Sequence, residues 1–164
     1  MAQITLKQKP INTSGTLPAV GSTAPEVTLT QVDLADVKLS SFKGKRVLNI
    51  FPSLDTGVCA TSVRTFAKKA ASVSGVTVLN ISMDLPFAHK RFCTAEGITG
   101  VVNLSNFRSN FSDAFGLKIA EGGMAGLNSR AVLVLDENGK VLHAEQVPEI
   151  TQEPNYDAAL AKVG

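Results

Sequence analysis

Val47-Leu48-Asn49-Ile50-Phe51 is an almost unbroken apolar run that stops at Pro52, and an apolar stripe at helical spacing follows it. This pairing constrains the fold more than any other feature of the chain. Successive strand side chains point to opposite faces, so a strand apolar at nearly every position must be covered on both sides. The stripe comprises Cys59, Val63, Phe66, Ala67, Ala70 and Val73 and ends at Gly75, which predicts one buried face of a helix with Cys59 in its first turn. Val76–Ser82 reads as a second buried strand. Phe87–Glu96, entered through Pro86 and left at Gly97, reads as a second helix, and Val101–Leu104 as a third strand. Strands alternating with helices imply a central sheet covered on both faces.

The flanks are less periodic. Gln3–Lys7 and Ile11–Thr13, separated by Pro10, read as a small N-terminal hairpin, and residues 14–25, small, polar and twice broken by Pro, as a loop. Val27–Thr30 and Val37–Leu39 are weak strands. A short helix is expected from Asn110 to Phe115, closed by Gly116. Arg130–Leu135, the turn Asp136–Gly139 and Val141–Val147 predict a hairpin, and Tyr156–Val163 a final amphipathic helix. The expected fold is α/β: a thioredoxin-like mixed central sheet flanked by helices, with an N-terminal β-hairpin extension. One domain is expected over residues 1–164, a length that supports a single core.

Composition narrows the function classes. Sixteen Lys+Arg against 14 Asp+Glu give a formal charge of +2, and only Lys43, Lys45 and Arg46, then Lys68 and Lys69, cluster. No nucleic-acid partner is expected from so weak a basic balance. No window approaches 18 consecutive apolar residues and the N-terminus lacks an apolar signal region, so neither a membrane span nor secretion is expected. Two cysteines allow at most one internal disulfide, which is no secreted scaffold. A cytoplasmic setting follows as the expectation, with Cys59 and Cys93 either inert core thiols or a working pair.

The stretch Pro52-Ser53-Leu54-Asp55-Thr56-Gly57-Val58-Cys59 decides between these readings. Taken singly, Cys59 would be a small buried hydrophobe, Cys93 an apolar-face residue, Arg130 a solvated strand end and Thr56 a turn or cap residue. Together, Pro52-x-x-x-Thr56-x-x-Cys59 resembles the active-site signature of the peroxiredoxins. Asn49–Ala60, Asp84–Cys93, Arg130–Asn138 and Glu149–Tyr156 extend the resemblance, to the bacterial two-cysteine thiol peroxidase branch, over most of the chain.

The chemistry agrees with it. A thiol with an ordinary pKa near 8.5 is about 3% ionised at pH 7, and becoming mostly thiolate takes roughly two units, about 3 kcal/mol. A first-turn position supplies ~0.3–1 kcal/mol through the helix dipole, so a cation and hydrogen bonds to sulfur are also required. Arg130 is the expected cation, because its strand should run antiparallel to Val47–Phe51 and begin beside the loop that leaves it. Arg64, off the stripe, is the fallback. Breaking a peroxide bond also needs donors for the departing oxygen. Thr56, Arg130 and the amides of Val58 and Cys59 are the candidates, with Pro52 limiting water beside the sulfur.

What the resemblance implies is a homodimeric peroxidase reducing hydrogen peroxide and alkyl hydroperoxides. Cys59 would be the peroxidatic residue and Cys93 the resolving one, joined in an intramolecular disulfide that thioredoxin reopens, with no metal, flavin or haem. The non-enzymatic alternative is a thioredoxin-fold interaction module with incidental cysteines. Rival site readings are thinner. His89 and Cys93 stand at i and i+4 with only Glu96 near, half of a metal site, and His143 reads as a surface residue. No G-x-S-x-G surrounds any serine, and Ser62 occupies the second position of what would be Cys-x-x-Cys.

Overall fold

The computed structural model describes residues 1–164. The chain runs β1 (Gln3–Leu6), β2 (Lys9–Asn12), β3 (Thr28–Gln31), β4 (Asp36–Lys38), a 3-10 turn (Leu39–Ser41), β5 (Lys45–Ile50), α1 (Gly57–Ala70), β6 (Val76–Ser82), α2 (Pro86–Glu96), β7 (Val102–Ser105), α3 (Phe111–Ala114), β8 (Ala131–Leu135), β9 (Val141–Gln146) and α4 (Tyr156–Leu160). β1 and β2 form a separate hairpin. The others make a seven-stranded sheet ordered β4-β3-β7-β6-β5-β8-β9, with β7, β6 and β5 parallel and β3, β8 antiparallel to their neighbours. This is the expected mixed sheet of a thioredoxin-like fold.

Residue parity sorts the two faces. Leu48, Ile50, Leu79, Ile81, Leu133 and Leu135 pack with Phe111, Phe115 and Leu117 in the larger core cluster. Val47, Val78, Val132 and Val134 pack with Phe66, Ala159 and Val163 from α1 and the α4 end. The helices are not shared evenly: α1, α2 and α4 lie over the face that carries Val47 and Asn49, while the other is covered by α3, the 3-10 turn and coil. Gly116 shows how tightly that coil packs. Its φ is +67°, and a Cβ there would stand 2.3 Å from the Thr16 carbonyl oxygen, so no other residue fits.

Two local expectations are corrected, and Arg46 is placed. Pro10 lies within β2, opposite Thr5, and the chain reverses instead at Lys7 and Gln8, both at positive φ (50° and 68°). Proline is tolerated because the hairpin has a free edge. Arg46, from the small basic cluster, is 2% exposed and donates to the carbonyls of Leu39 and Asp136 at 2.8 and 2.7 Å. α4 also stops at Leu160, earlier than the periodicity through Val163 suggests.

Candidate active site

The parallel strands β5 and β6 deliver their C-terminal ends to one edge of the sheet, and the site is built there. β5 ends at Ile50, Phe51 and Pro52 are buried, and α1 opens at Gly57 behind Thr56 as N-cap. Cys59 is therefore the third residue of α1, in the first turn as expected. Its side chain is fully buried in a cluster with Phe51, Leu54 and Val63, against Phe92 and Ile98 of the α2 segment. The first backbone bond of the helix is Ala60 N–H to the Thr56 carbonyl at 3.1 Å. The amides of Val58 and Cys59 thus precede the intrahelical ladder and are available as donors.

Antiparallel pairing of β8 with β5 sets Ala131 opposite Ile50, which brings the preceding residue to the sulfur. Arg130 Nη2 donates to Cys59 Sγ at 3.2 Å and Nε to the Ile150 carbonyl at 2.8 Å. Nη1 is buried without a partner, and Arg130 as a whole is 2% exposed. None of the ion pairs of the structure involves it. A buried guanidinium without a carboxylate is costly unless its donors are met, and the Cys59 sulfur and the Ile150 carbonyl are what it meets. Arg64, the fallback, instead pairs with Glu96 at 2.8 Å across the exposed surface between α1 and α2.

A cavity of about 290 Å³ opens onto this group, lined by Pro52, Thr56, Gly57, Val58 and Arg130, with Leu6, Lys7, Met124, Ile150 and Thr151 across from them. The far wall comes from Met124 before β8, from the N-terminal hairpin and from the segment after β9, the last two strapped together by Glu149. Its carboxylate accepts from Thr5 Oγ1, from the backbone N–H of Lys7 at 2.8 Å and of Gln8 at 3.1 Å, and from Thr151 Oγ1 at 2.8 Å. Those donors, the Thr5 hydroxyl foremost, hold the Glu149 carboxyl down to about 2. Thr56 Oγ1 donates to the Ser53 carbonyl at 3.0 Å, so its hydroxyl points along the loop and not at the sulfur.

Cys93 lies on α2, half-buried, and both cysteines are free thiols. Burial pushes the Cys93 thiol up, opposed by the Asn103 side-chain amide, which donates to Sγ at 2.9 Å. Asn103 ends a file of asparagines in register across β5, β6 and β7. Asn49 Nδ2 donates to Asn80 Oδ1 at 3.0 Å, and Asn80 Nδ2 to Asn103 Oδ1 at 3.1 Å. Asn49 Nδ2 also reaches Ser62 Oγ, whose hydroxyl donates to the Cys59 carbonyl at 2.8 Å. A buried polar file therefore runs beneath both cysteine helices.

The matching family description is Redoxin, over residues 19–160. The chain belongs to the Redoxin family. Thiol peroxidases of Mycobacterium bovis and Mycobacterium tuberculosis are 59% identical to it over 165 residues, covering 100% of this chain and 99% of theirs. A peroxiredoxin-like protein from Aquifex aeolicus superimposes with a TM-score of 0.94 at 40% identity, covering 99% of this chain and 96% of that one. The Chromobacterium violaceum thiol peroxidase shares the fold, with a TM-score of 0.90 at 20% identity over 97% and 93% of the two chains.

In this Redoxin chain, Pro52, Thr56 and Arg130 line one cavity and Cys59 is buried beside it against Arg130 Nη2, while Cys93 stands apart on its own helix. His89 and Cys93 do not share a ligand position: His89 Nε2 meets Ser82 Oγ at 3.0 Å, and Cys93 meets Asn103. His143 is half-buried with Nε2 enclosed and unpartnered, a correction to the surface reading. Leu6, Met124, Ile150 and Glu149 escaped the sequence reading, since nothing local marks a cavity wall. Glu149 alone left a signal, a carboxylate beside Ile150 in the Glu149–Tyr156 stretch.

Proposed function

We propose that this chain reduces hydroperoxides by a two-cysteine cycle in which Cys59 is peroxidatic and Cys93 resolving. Thiol-dependent peroxidase activity accords with Redoxin membership and full-length similarity to the mycobacterial thiol peroxidases. The observation that carries the residue assignment is Arg130 with Nη2 on Cys59 Sγ and Nη1 unpartnered beside it. One guanidinium edge holds the thiolate and a second N–H remains for a peroxide oxygen.

Cys59 thiolate attacks the terminal peroxide oxygen; the S–O bond forms, the O–O bond breaks, and the departing oxygen takes a proton to leave as alcohol or water. Arg130, the first amides of α1 and Thr56, once its hydroxyl turns from Ser53, stabilise the charge on both oxygens. Pro52 adds a donor-free apolar wall. Cys93 then attacks the sulfenic sulfur: the S–S bond forms and water leaves. A dithiol reductant of the thioredoxin type reopens the disulfide by exchange, supplying two electrons. The cytoplasmic setting and the homodimer belong to the same reading.

The disulfide requires movement. Its Cα atoms must come within roughly 7 Å, whereas here both helices are complete and each sulfur is held by a different partner. Gly97, at φ +64°, and Gly100, at φ +77°, end α2 and the turn after it, and are where the segment can yield. Intact mass before and after one equivalent of peroxide tests the cycle. Loss of two hydrogens without chain dimerisation is the expected result. Cys59→Ser should consume no peroxide, and Cys93→Ser should oxidise once and then stall or over-oxidise; turnover by Cys59→Ser overturns the assignment.

A further inference from the structure

The turn between β6 and α2 holds a carboxylate that the peroxidase cycle leaves unexplained. Asp84 sits at the same sheet edge as the Cys59 loop, because β5 and β6 are parallel neighbours. Its Oδ1 accepts from Ser53 Oγ at 2.8 Å, and its Oδ2 accepts from the Leu54 backbone N–H at 2.8 Å and from Ser82 Oγ at 2.6 Å. Three donors thus meet two carboxylate oxygens, and two of the donors belong to the loop between β5 and α1.

The contacts continue in both directions. Towards the site, the Ser53 carbonyl accepts both the backbone N–H of Thr56 at 3.2 Å and its hydroxyl at 3.0 Å, so fixing Ser53 fixes the residue that faces the cavity. Towards α2, the single proton of the Ser82 hydroxyl goes to Asp84, leaving its lone pairs for the Asp84 N–H at 3.2 Å and His89 Nε2 at 3.0 Å. His89 must then carry its proton on Nε2, which agrees with a bare, unpartnered Nδ1. Asp84 therefore ties the loop before Cys59 to the first turn of the helix that bears Cys93.

We propose that Asp84 is a positioning residue for the peroxide step. Resting on the reading of Cys59 as peroxidatic, the proposal is that its carboxylate holds the Pro52–Thr56 loop in the geometry that aims Thr56 and the first amides of α1 at the peroxide. Asp84 touches neither the sulfur nor the cavity. A carboxylate accepts from all three donors, whereas a carboxamide would keep one oxygen for the Leu54 N–H and the Ser82 hydroxyl and set an NH2 against Ser53 Oγ, whose hydroxyl would lose its acceptor.

The test uses the full chain with Cys93→Ser, so that only oxidation of Cys59 is read, in single-turnover peroxide reactions across a pH range. Adding Asp84→Asn should slow that oxidation about tenfold or more by displacing the loop. The deficit should persist where the thiol is fully ionised, since the thiolate's own partner, Arg130, is untouched. Hydrogen exchange should show the Leu54 amide losing protection in the same variant. Ser53→Ala, which removes one of the three donors to Asp84 together with the Asp55 N–H contact at 3.1 Å, should give a smaller loss and serves if Asp84→Asn does not fold. A rate within twofold of the parent at every pH, for Asp84→Asn or in its place for Ser53→Ala, overturns the positioning role; so does lowered thermal stability with an unchanged rate per folded molecule. An unoxidised Cys59 in the parent overturns the peroxidase reading itself and the role with it.

Discussion

Replacing Arg130 by Met keeps an unbranched apolar stem in a buried site and deletes both guanidinium functions. The first is the Nη2 hydrogen bond to Cys59 Sγ at 3.2 Å. Hydrogen bonds to charged groups contribute ~1.5–3 kcal/mol, so the thiolate-to-thiol ratio should fall about 10- to 150-fold. The second is the unpartnered Nη1 donor. Losing an oriented donor to charge that develops during reaction typically costs ~2.7–4 kcal/mol, or about 10²- to 10³-fold in rate. The second-order rate of Cys59 oxidation at neutral pH should drop by the product. Raising the pH until the thiol ionises should recover only the first factor. Rapid-quench alkylation and mass spectrometry on the Cys93→Ser form, from acid to alkaline pH, separates the two, with circular dichroism confirming the fold. A neutral-pH rate within threefold of the parent would refute the arrangement, and complete recovery at high pH would refute the second donor. Arg130→Lys, which keeps charge without the planar fork, should fall between.

Three further outcomes are expected. Thr56→Val should slow oxidation of Cys59 by about tenfold even at alkaline pH, since the hydroxyl serves the peroxide and not the thiolate; stopped-flow rates check this. Asn103→Ala removes the donor on Cys93 Sγ, so the Cys93 thiol should rise further and disulfide formation slow about fivefold at neutral pH, while the peroxide step is unchanged. His89 is held down to about 4, first by burial, against about 6.5 in an unfolded chain. The unfolded state binds the extra proton between these values, so stability should be unaffected above pH ~6.5 and fall by about 3 kcal/mol as pH drops to ~4. Urea midpoints would show this slope, and His89→Gln should flatten it.

The depth of agreement between sequence and structure differs by type of feature. Val47–Phe51, the α1 stripe and the hairpin around Asp136–Gly139 were legible because burial imprints a local period, of two in strands and about 3.6 in helices. Pro52, Thr56 and Cys59 lie within eight residues of one another, so their grouping was written in the chain before any folding. Arg130 needed one inference beyond locality, the antiparallel placement of β8 beside β5, and that pairing is observed.

What lay beyond local pattern depends on strand order and register. Asp84 meets Ser53 and Leu54 only because β6 is the parallel neighbour of β5; Asn49, Asn80 and Asn103 form a file only because three strands align without a slip. Glu149 closes on the hairpin tip across more than 140 residues of sequence. Pro10 enters a strand and Arg46 the interior for the same reason: a residue's environment is set by what the tertiary fold brings beside it, and side-chain chemistry alone carries no record of that neighbour. The sequence by itself determined the main elements, their order and the grouping of Pro52, Thr56 and Cys59. Only the tertiary structure decided which distant side chains frame the cavity and tie the Cys59 loop to the second cysteine's helix, because those contacts are made by sheet topology and not by the local chain.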